Sequence, residues 1–372
     1  MTALAQRISA VNLGQGFPDT DGPSRMLAVA RNAVDEGLNQ YPPMNGLPQL
    51  RRAVTAQRLE RYATAYDPDS EVLVTVGATE AIAASLIALC EPGDEVLYFE
   101  PAYDSYLPGV AMAGGVPVPI RLRPDGGGFA FDLDELTHAV SGRTRLLLLN
   151  SPHNPTGKVF TREELEAIAR VCREHDIIVI SDEVYEYLTY DGATHTTIAT
   201  LPGMRNRTLA VSSAGKTFSV TGWKVGWVCG PADLVAAVRT AKQFLTFAAS
   251  APFQAAVAVG LREELGWVET WRTELRDRRD QLRGGLEQIG AAVLPCQGTY
   301  FLQIDTRSLG YADGQRFCQE LAQRCGVVAI PSRAFFEDVE AGLPYVRFAF
   351  CKRSDVVAEA TRRLSSFNAK EL

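Results

Sequence analysis

The residue with most chemical promise is Lys216. It follows an apolar run, Thr208-Leu209-Ala210-Val211, that reads as a short buried strand. The run leads into Ser212-Ser213-Ala214-Gly215-Lys216-Thr217-Phe218 and then Thr221-Gly222-Trp223-Lys224. Small neighbours leave room beside the amine for a bulky planar group. Three chemistries compete for such a lysine. Gly215-Lys216-Thr217 matches the end of a phosphate-binding loop, G-x-x-x-x-G-K-[ST], but the first glycine position is Ala210, and Gly222 and Gly226 interrupt any following helix. A lysine merely solvated on a polar loop needs nothing further. A lysine that forms an imine with pyridoxal phosphate needs a cramped pocket and several partners.

Candidate partners stand after other apolar runs. Leu146 to Leu149 is wholly apolar and belongs in the middle of a parallel sheet. It ends in Asn150-Ser151-Pro152-His153-Asn154-Pro155-Thr156-Gly157, a stiff polar loop. Ile177 to Ile180 is followed by Ser181-Asp182-Glu183-Val184-Tyr185. An aspartate directly after a buried strand is costly unless paired, and a cationic partner explains it. The strand Val72 to Val76 turns through Gly77-Ala78-Thr79-Glu80 into a helix over Ala81 to Leu89. That is either a plain turn or an anion site built from free amides and the helix dipole. Tyr103 lies just past the strand Val96 to Phe99, and glycines flank Gln15 in Val11 to Asp19. Tyr41 sits on a proline-stiffened loop, Gln40-Tyr41-Pro42-Pro43. Ligands bind at the carboxyl edge of open α/β sheets, and there the pieces converge on one cofactor. Lys216 supplies the amine and Asp182 pairs with a protonated pyridine nitrogen. Asn154 and Tyr185 face a ring hydroxyl, and Tyr103 stacks. The Ala78 and Thr79 amides, with Ser213 and Lys224, hold a phosphate.

The elements that position these residues alternate as strands and helices. About seven strands, mostly parallel, predict an α/β sheet flanked by helices. Past residue 264 the texture changes to a long charged helix, Trp267 to Ile289. Strands at Thr299 to Ile304, Val327 to Ile330 and Tyr345 to Cys351 follow, with helices at Gln315 to Arg324 and from Ser354. The expected division is a large cofactor domain, 34–264, and a smaller α+β domain, 1–33 with 265–372. Thr161 and Glu164 form a capping box for a helix to His175. The arginines of the helix Leu47 to Tyr62, and Lys242, are expected on solvated faces. The net charge of -7 over 372 residues argues against nucleic acid or anionic membrane as partner. Seven scattered cysteines without C-x-x-C suit a reducing compartment and give no metal site. With no apolar run approaching a membrane span and no basic, apolar leader, a cytoplasmic enzyme is expected.

The chain resembles the class I pyridoxal-phosphate aminotransferases of fold type I. The marks are Asn-Ser-Pro-His-Asn-Pro-Thr-Gly, Ser-Asp-Glu-Val-Tyr, Ser-Ser-Ala-Gly-Lys-Thr-Phe with Gly-Trp-Lys, and Tyr-Val-Arg-Phe-Ala-Phe-Cys. Asn-Leu-Gly-Gln-Gly-Phe-Pro-Asp and Gln-Tyr-Pro-Pro resemble the branch holding kynurenine aminotransferase (glutamine transaminase K), methionine aminotransferases and N-succinyldiaminopimelate aminotransferases. Val-Thr-Val-Gly-Ala-Thr-Glu-Ala-Ile and Ala-Pro-Phe-Gln lean towards the last, an enzyme of lysine biosynthesis. The resemblance implies pyridoxal phosphate held by Lys216 and by the residues above, with Asn150 among them. It implies that Arg347 binds the substrate α-carboxylate with Asn154 and the Gly16 backbone. It also implies an obligate homodimer in which Tyr41 reaches the partner subunit's cofactor phosphate. The stretch after the second lysine carries Phe247 where enzymes for short dicarboxylates place a second arginine. An apolar wall of Phe247, Tyr103 and Tyr106 then favours glutamine, methionine, aromatic or N-succinyldiaminopimelate donors. Carbon–sulfur β-elimination at the same site is the alternative activity. Family members carry a further N-terminal stretch with an aromatic residue over the pocket, so this chain is expected to be shortened there or to have a more open pocket.

Overall fold

Strands that are apolar on both faces can pair only inside a sheet covered on both sides. The computed structural model, which describes residues 2–367, contains such a sheet. Its strands are β1 (Val72–Val76), β2 (Glu95–Glu100), β3 (Val116–Arg121), β4 (Thr144–Asn150), β5 (Ile178–Asp182), β6 (Thr208–Ser213) and β7 (Val225–Cys229). Their order is β1-β7-β6-β5-β4-β2-β3. β7 runs antiparallel to both neighbours, and every other pair is parallel. In β4, Leu146 and Leu148 pack with Ile82, Leu86 and Val238 on one face. Leu147 and Leu149 pack with Phe160, Leu165 and Ile168 on the other. Burying each of these leucines is worth about 1.5–3 kcal/mol, which fixes β4 at mid-sheet. Register then aligns the strand ends: Asn150 pairs with Asp182, and Asp182 with Val211. Val76 ends at the same edge, opposite Val225.

A second sheet collects β8 (Ala292–Val293), β9 (Phe301–Asp305), β10 (Ile330–Pro331) and β11 (Tyr345–Ala349) in the order β8-β9-β11-β10. All its pairs are antiparallel. The helices Leu265–Gln288 and Ser354–Leu364 pack against each other beside it. Helix Ser24–Asp35, which the expected domain boundary would divide, buries Met26 and Ala30 with Val257 and Leu261 of helix Ala251–Glu263. Among the described residues no helix is long and apolar enough to cross a membrane.

Four local expectations are corrected. The helix expected from Ala81 begins at Gly77, because the glycine's left-handed φ of +73° turns the chain straight out of β1. The single strand expected over Val327 to Ile330 is two: Val327–Val328 pairs with Val11–Asn12, while Ile330–Pro331 joins β11. The helix Pro48–Tyr62 leaves Arg52 and Arg61 exposed but buries its other two arginines. Arg58 is buried against Glu183 at 2.6 Å, and Arg51 is buried against Asp69 at 2.7 Å. Lys242 is also buried, its Nζ donating to the carbonyls of Phe247 at 2.6 Å and Met44 at 3.4 Å. It lies in the last turn of helix Ala232–Leu245, where carbonyls lack helical partners and a cation opposes the dipole.

The capping box forms as expected. Thr161 Oγ1 accepts from the Glu164 amide at 3.2 Å, and Glu164 Oε2 accepts from the Thr161 amide at 2.8 Å. Thr161→Ala is expected to cost about 1 kcal/mol in urea unfolding with an unchanged m-value. An unchanged midpoint would show that the cap contributes nothing to stability.

Candidate active site

The carboxyl ends of β1, β4, β5 and β6 open onto a cavity of about 460 Å³, closed on the other side by Phe301, Ile330, Phe335 and Arg347. Lys216 enters it from the short helix Ala214–Thr217 that β6 feeds. Its Nζ lies 5.6 Å from the ring centre of Tyr300 and 5.9 Å from that of Tyr185. Burial pulls this ammonium down to about 8, against the pull of Asp182 and Cys351. The neutral, nucleophilic amine is therefore a minor form at pH 7 and about half of the population near pH 8.

Asp182, the last residue of β5, is buried and faces the same cavity. Its hydrogen bonds come from neutral donors, the Tyr106 hydroxyl at 2.7 Å and the Val184 amide at 3.2 Å. Burial raises its carboxyl to about 6, although both bonds and Lys216 oppose the rise. Asn150 ties the strand ends together. Its Nδ2 donates to the Asp182 carbonyl at 2.9 Å, and its Oδ1 accepts from the Asn154 amide at 2.7 Å. Asn154 Oδ1 in turn accepts from Arg347 Nη1 at 2.9 Å. Arg347 Nη2 reaches the Gly14 carbonyl at 3.5 Å, and the guanidinium lies 3.9 Å from the Phe301 ring centre and 4.4 Å from that of Phe335. Each of those partners is uncharged, and burial lowers the guanidinium to about 10.

The β1–helix turn forms a cup at one end of the cavity. Gly226 of β7 lets the two elements touch, since a Cβ there would stand 2.6 Å from the Gly77 carbonyl carbon and 2.8 Å from the Ala78 nitrogen. A Cβ on Gly77 would meet Lys224 Nζ at 3.2 Å. The amides opening the helix Gly77–Leu89, the Lys224 ammonium and Ser213 thus converge at one end of the cavity. Thr79 hydrogen-bonds the Tyr103 hydroxyl, whose pKa burial raises.

The cavity brings together Gly16, Ala78, Thr79, Tyr103, Asn150, Asn154, Asp182, Tyr185, Ser213, Lys216, Lys224 and Arg347. Tyr41 and Phe247 lie outside its lining. They are exposed and pack edge to face, ring centres 5.4 Å apart. Tyr106 is not a wall of the substrate pocket. It is buried, and its hydroxyl is spent on Asp182. Gly16 also lines the cavity, and its carbonyl accepts from Tyr300 at 2.6 Å. Phe301 and Phe335, the faces that hold Arg347, carry no signal in a chain read alone; a partner across two sheets is visible only once the sheets are assembled.

A carboxyl whose folded pKa of about 6 exceeds its unfolded 3.8 favours folding fully only below the unfolded value, and that contribution is lost as pH rises through about 6. At pH 8 the cofactor-free protein bears this cost, up to about 3 kcal/mol. Asp182→Asn is expected to raise the urea midpoint of the cofactor-free protein at pH 8, and by less at pH 4. A midpoint at or below the parent's at pH 8 would contradict this.

Residues 8–364 match the family described as aminotransferase class I and II. The chain is 55% identical over 374 residues to the probable N-succinyldiaminopimelate aminotransferase of Mycobacterium tuberculosis, covering 98% of this chain and 94% of that one. It is 42% identical over 367 residues to the methionine aminotransferase of Escherichia coli, again covering 98% and 94%. The solved N-succinyldiaminopimelate aminotransferase of Mycobacterium tuberculosis superposes with a TM-score of 0.96 at 55% identity, covering 98% of this chain and 95% of that one. The chain therefore belongs to the class I and II aminotransferases, fold type I enzymes that use pyridoxal phosphate to move amino groups between amino acids and 2-oxo acids.

Proposed function

We propose that this chain binds pyridoxal phosphate at Lys216 and transfers amino groups from long or aromatic L-amino acids, with N-succinyldiaminopimelate the leading donor. The observation that carries the reading is the buried Asp182 carboxylate, which faces the cavity and, among the described residues, is hydrogen-bonded only by neutral donors. A protonated pyridine nitrogen is the cation such a group lacks. The remaining residues fit the same molecule. Asn154 and Tyr185 would face the ring hydroxyl and Tyr103 the ring face. Ala78, Thr79, Ser213 and Lys224 would hold the phosphate, in the cup that a Cβ on Gly77 would crowd. When bound, the cofactor's ring supplies a sink for the electron pair left by the departing α-proton.

The chain's own groups do the rest. Arg347 binds the donor's α-carboxylate through its planar fork, oriented by Asn154 and by the faces of Phe301 and Phe335. Lys216 Nζ, whose pKa burial lowers to about 8, takes the proton from the donor's Cα as general base in its neutral form. Tyr300 and Tyr185 flank that amine and limit the water around it. The cations in the described lining are Lys216, Lys224 and Arg347, and Asp104 adds a carboxylate. That lining offers no further cation for a short acidic side chain, while Phe17, Ile330 and Phe335 offer apolar surface. The 55% identity to the mycobacterial N-succinyldiaminopimelate aminotransferase supports that donor within the class. A second copy of the chain is proposed to complete the site, presenting Tyr41 to the phosphate and Phe247 to the substrate. Their exposure outside this chain's own cavity supports that reading. Cysteines that are all free and buried among the described residues support a reducing cytoplasm.

Loading with pyridoxal phosphate, borohydride reduction and peptide mapping is expected to find the modified lysine at 216; modification at Lys224 would overturn the assignment. Lys216→Ala is expected to lose at least about a thousandfold in turnover, roughly 4 kcal/mol of barrier. In a donor panel, at least one long or aromatic donor is expected to exceed aspartate about tenfold in kcat/KM, about 1.4 kcal/mol of discrimination. A panel led by aspartate would refute the pocket reading.

A further inference from the structure

Behind the residues that face the cavity lies a polar cluster that the proposed reaction does not use. The turn after β5 presents residues to two sides. Asp182 and Tyr185 line the cavity, whereas Glu183 and Glu186 are buried on the far side. There one nitrogen of Arg58, Nη1, stands 2.6 Å from Glu183 Oε2 and 3.8 Å from Glu186 Oε2. Ser181 and Thr197 donate to Glu183 Oε1 at 3.0 and 2.5 Å. Ser212 and Tyr62 donate to the two oxygens of Glu186, at 2.5 and 2.6 Å. Burial alone would raise the Glu183 carboxyl, but Arg58, His195 and Thr197 outweigh it and hold it at about 2.

Stability does not account for this arrangement. Two carboxyl groups and a guanidinium taken out of water cost about as much as they return, and apolar side chains of equal volume often do better. Arg58 Nε and Nη2 have no hydrogen-bond partner among the described residues, so its bonding is not saturated. The cluster does fix geometry. It joins helix Pro48–Tyr62, β5 and β6 to one turn, and a tilt of that turn displaces its cavity face together with its buried face.

We propose that Arg58 is a positioning residue for amino transfer: by clamping Glu183 and Glu186 from behind, it sets where Asp182 and Tyr185 meet the cofactor. The proposal rests on the cofactor reading above. Arg58→Lys keeps the charge but draws it back from both carboxylates, because the lysine nitrogen stands one atom nearer the backbone than Nη1. In the cofactor-loaded variant, kcat is expected to fall at least about fivefold while KM for the amino donor stays within about twofold. The visible circular dichroism per bound cofactor, which reports ring orientation, is expected to change by about half or more at the same occupancy, as the tilt implies. A folded variant with parental kcat and parental dichroism overturns the proposal, as does a loss confined to KM. If Arg58→Lys does not fold, Glu183→Gln, which keeps the side chain's size and removes the charge that Arg58 holds at 2.6 Å, takes its place. The same fall in kcat and change in dichroism are then expected, and parental values of both overturn the proposal. Absence of a cofactor band from the parent protein itself would instead sink the cofactor reading, and the proposal with it.

Discussion

A carboxylate buried among neutral donors is the constraint on which the rest of the site depends. Asp182 can be ionised there only at a cost, and its carboxyl is lifted to about 6. The fold accepts that cost because β5 lies in the middle of a sheet covered on both faces, where water cannot screen the group. A bound cation relieves the penalty and gains, from the same low dielectric, an attraction it would not have in water. A group that costs stability on its own is thus one that a bound cation would stabilise, the usual trade between stability and function.

The charged groups of the cavity are kept apart by distinct supports. Lys216, Lys224 and Asp182 issue from the edge of the seven-stranded sheet, and Arg347 from β11 of the other. The guanidinium meets aromatic faces and carbonyls rather than a carboxylate, so no internal ion pair has to break before an anionic ligand binds. Desolvation leaves Lys216 near 8 and Arg347 near 10. Near pH 8 about half of the first is therefore a neutral amine while the second stays a cation.

Much of this was legible in the chain. Apolar runs followed by lysine, aspartate or asparagine mark strand ends, and strand ends of a parallel sheet share one edge. Lys216, Asp182, Asn154 and Lys224 could be assembled without coordinates for that reason. What could not be read was which face a long side chain takes. Arg58, Arg51 and Lys242 have helical spacings that suit solvent, and each is buried because a neighbouring element supplies a carboxylate or a carbonyl. Tyr106 looked like pocket wall because it lies near Tyr103 in sequence. Helical geometry turns it the other way, beneath Asp182. Partners separated by a sheet crossing, such as Phe301 and Phe335 around Arg347, leave no local trace.

The reversal at the end of β6 has a mechanical consequence. β7 returns antiparallel beside β6, with Gly226 opposite Ser213, so the chain passes the same edge twice within a few residues and leaves Lys216 and Lys224 on one short loop between two paired strands. Both ends of a planar ligand held by these amines are then gripped by a single rigid body. A hinge motion that carried the four-stranded sheet away would open the grip on a carboxylate at Arg347 and leave the other grip unaltered. Substrates could come and go through such a jaw without loosening what the seven-stranded sheet retains.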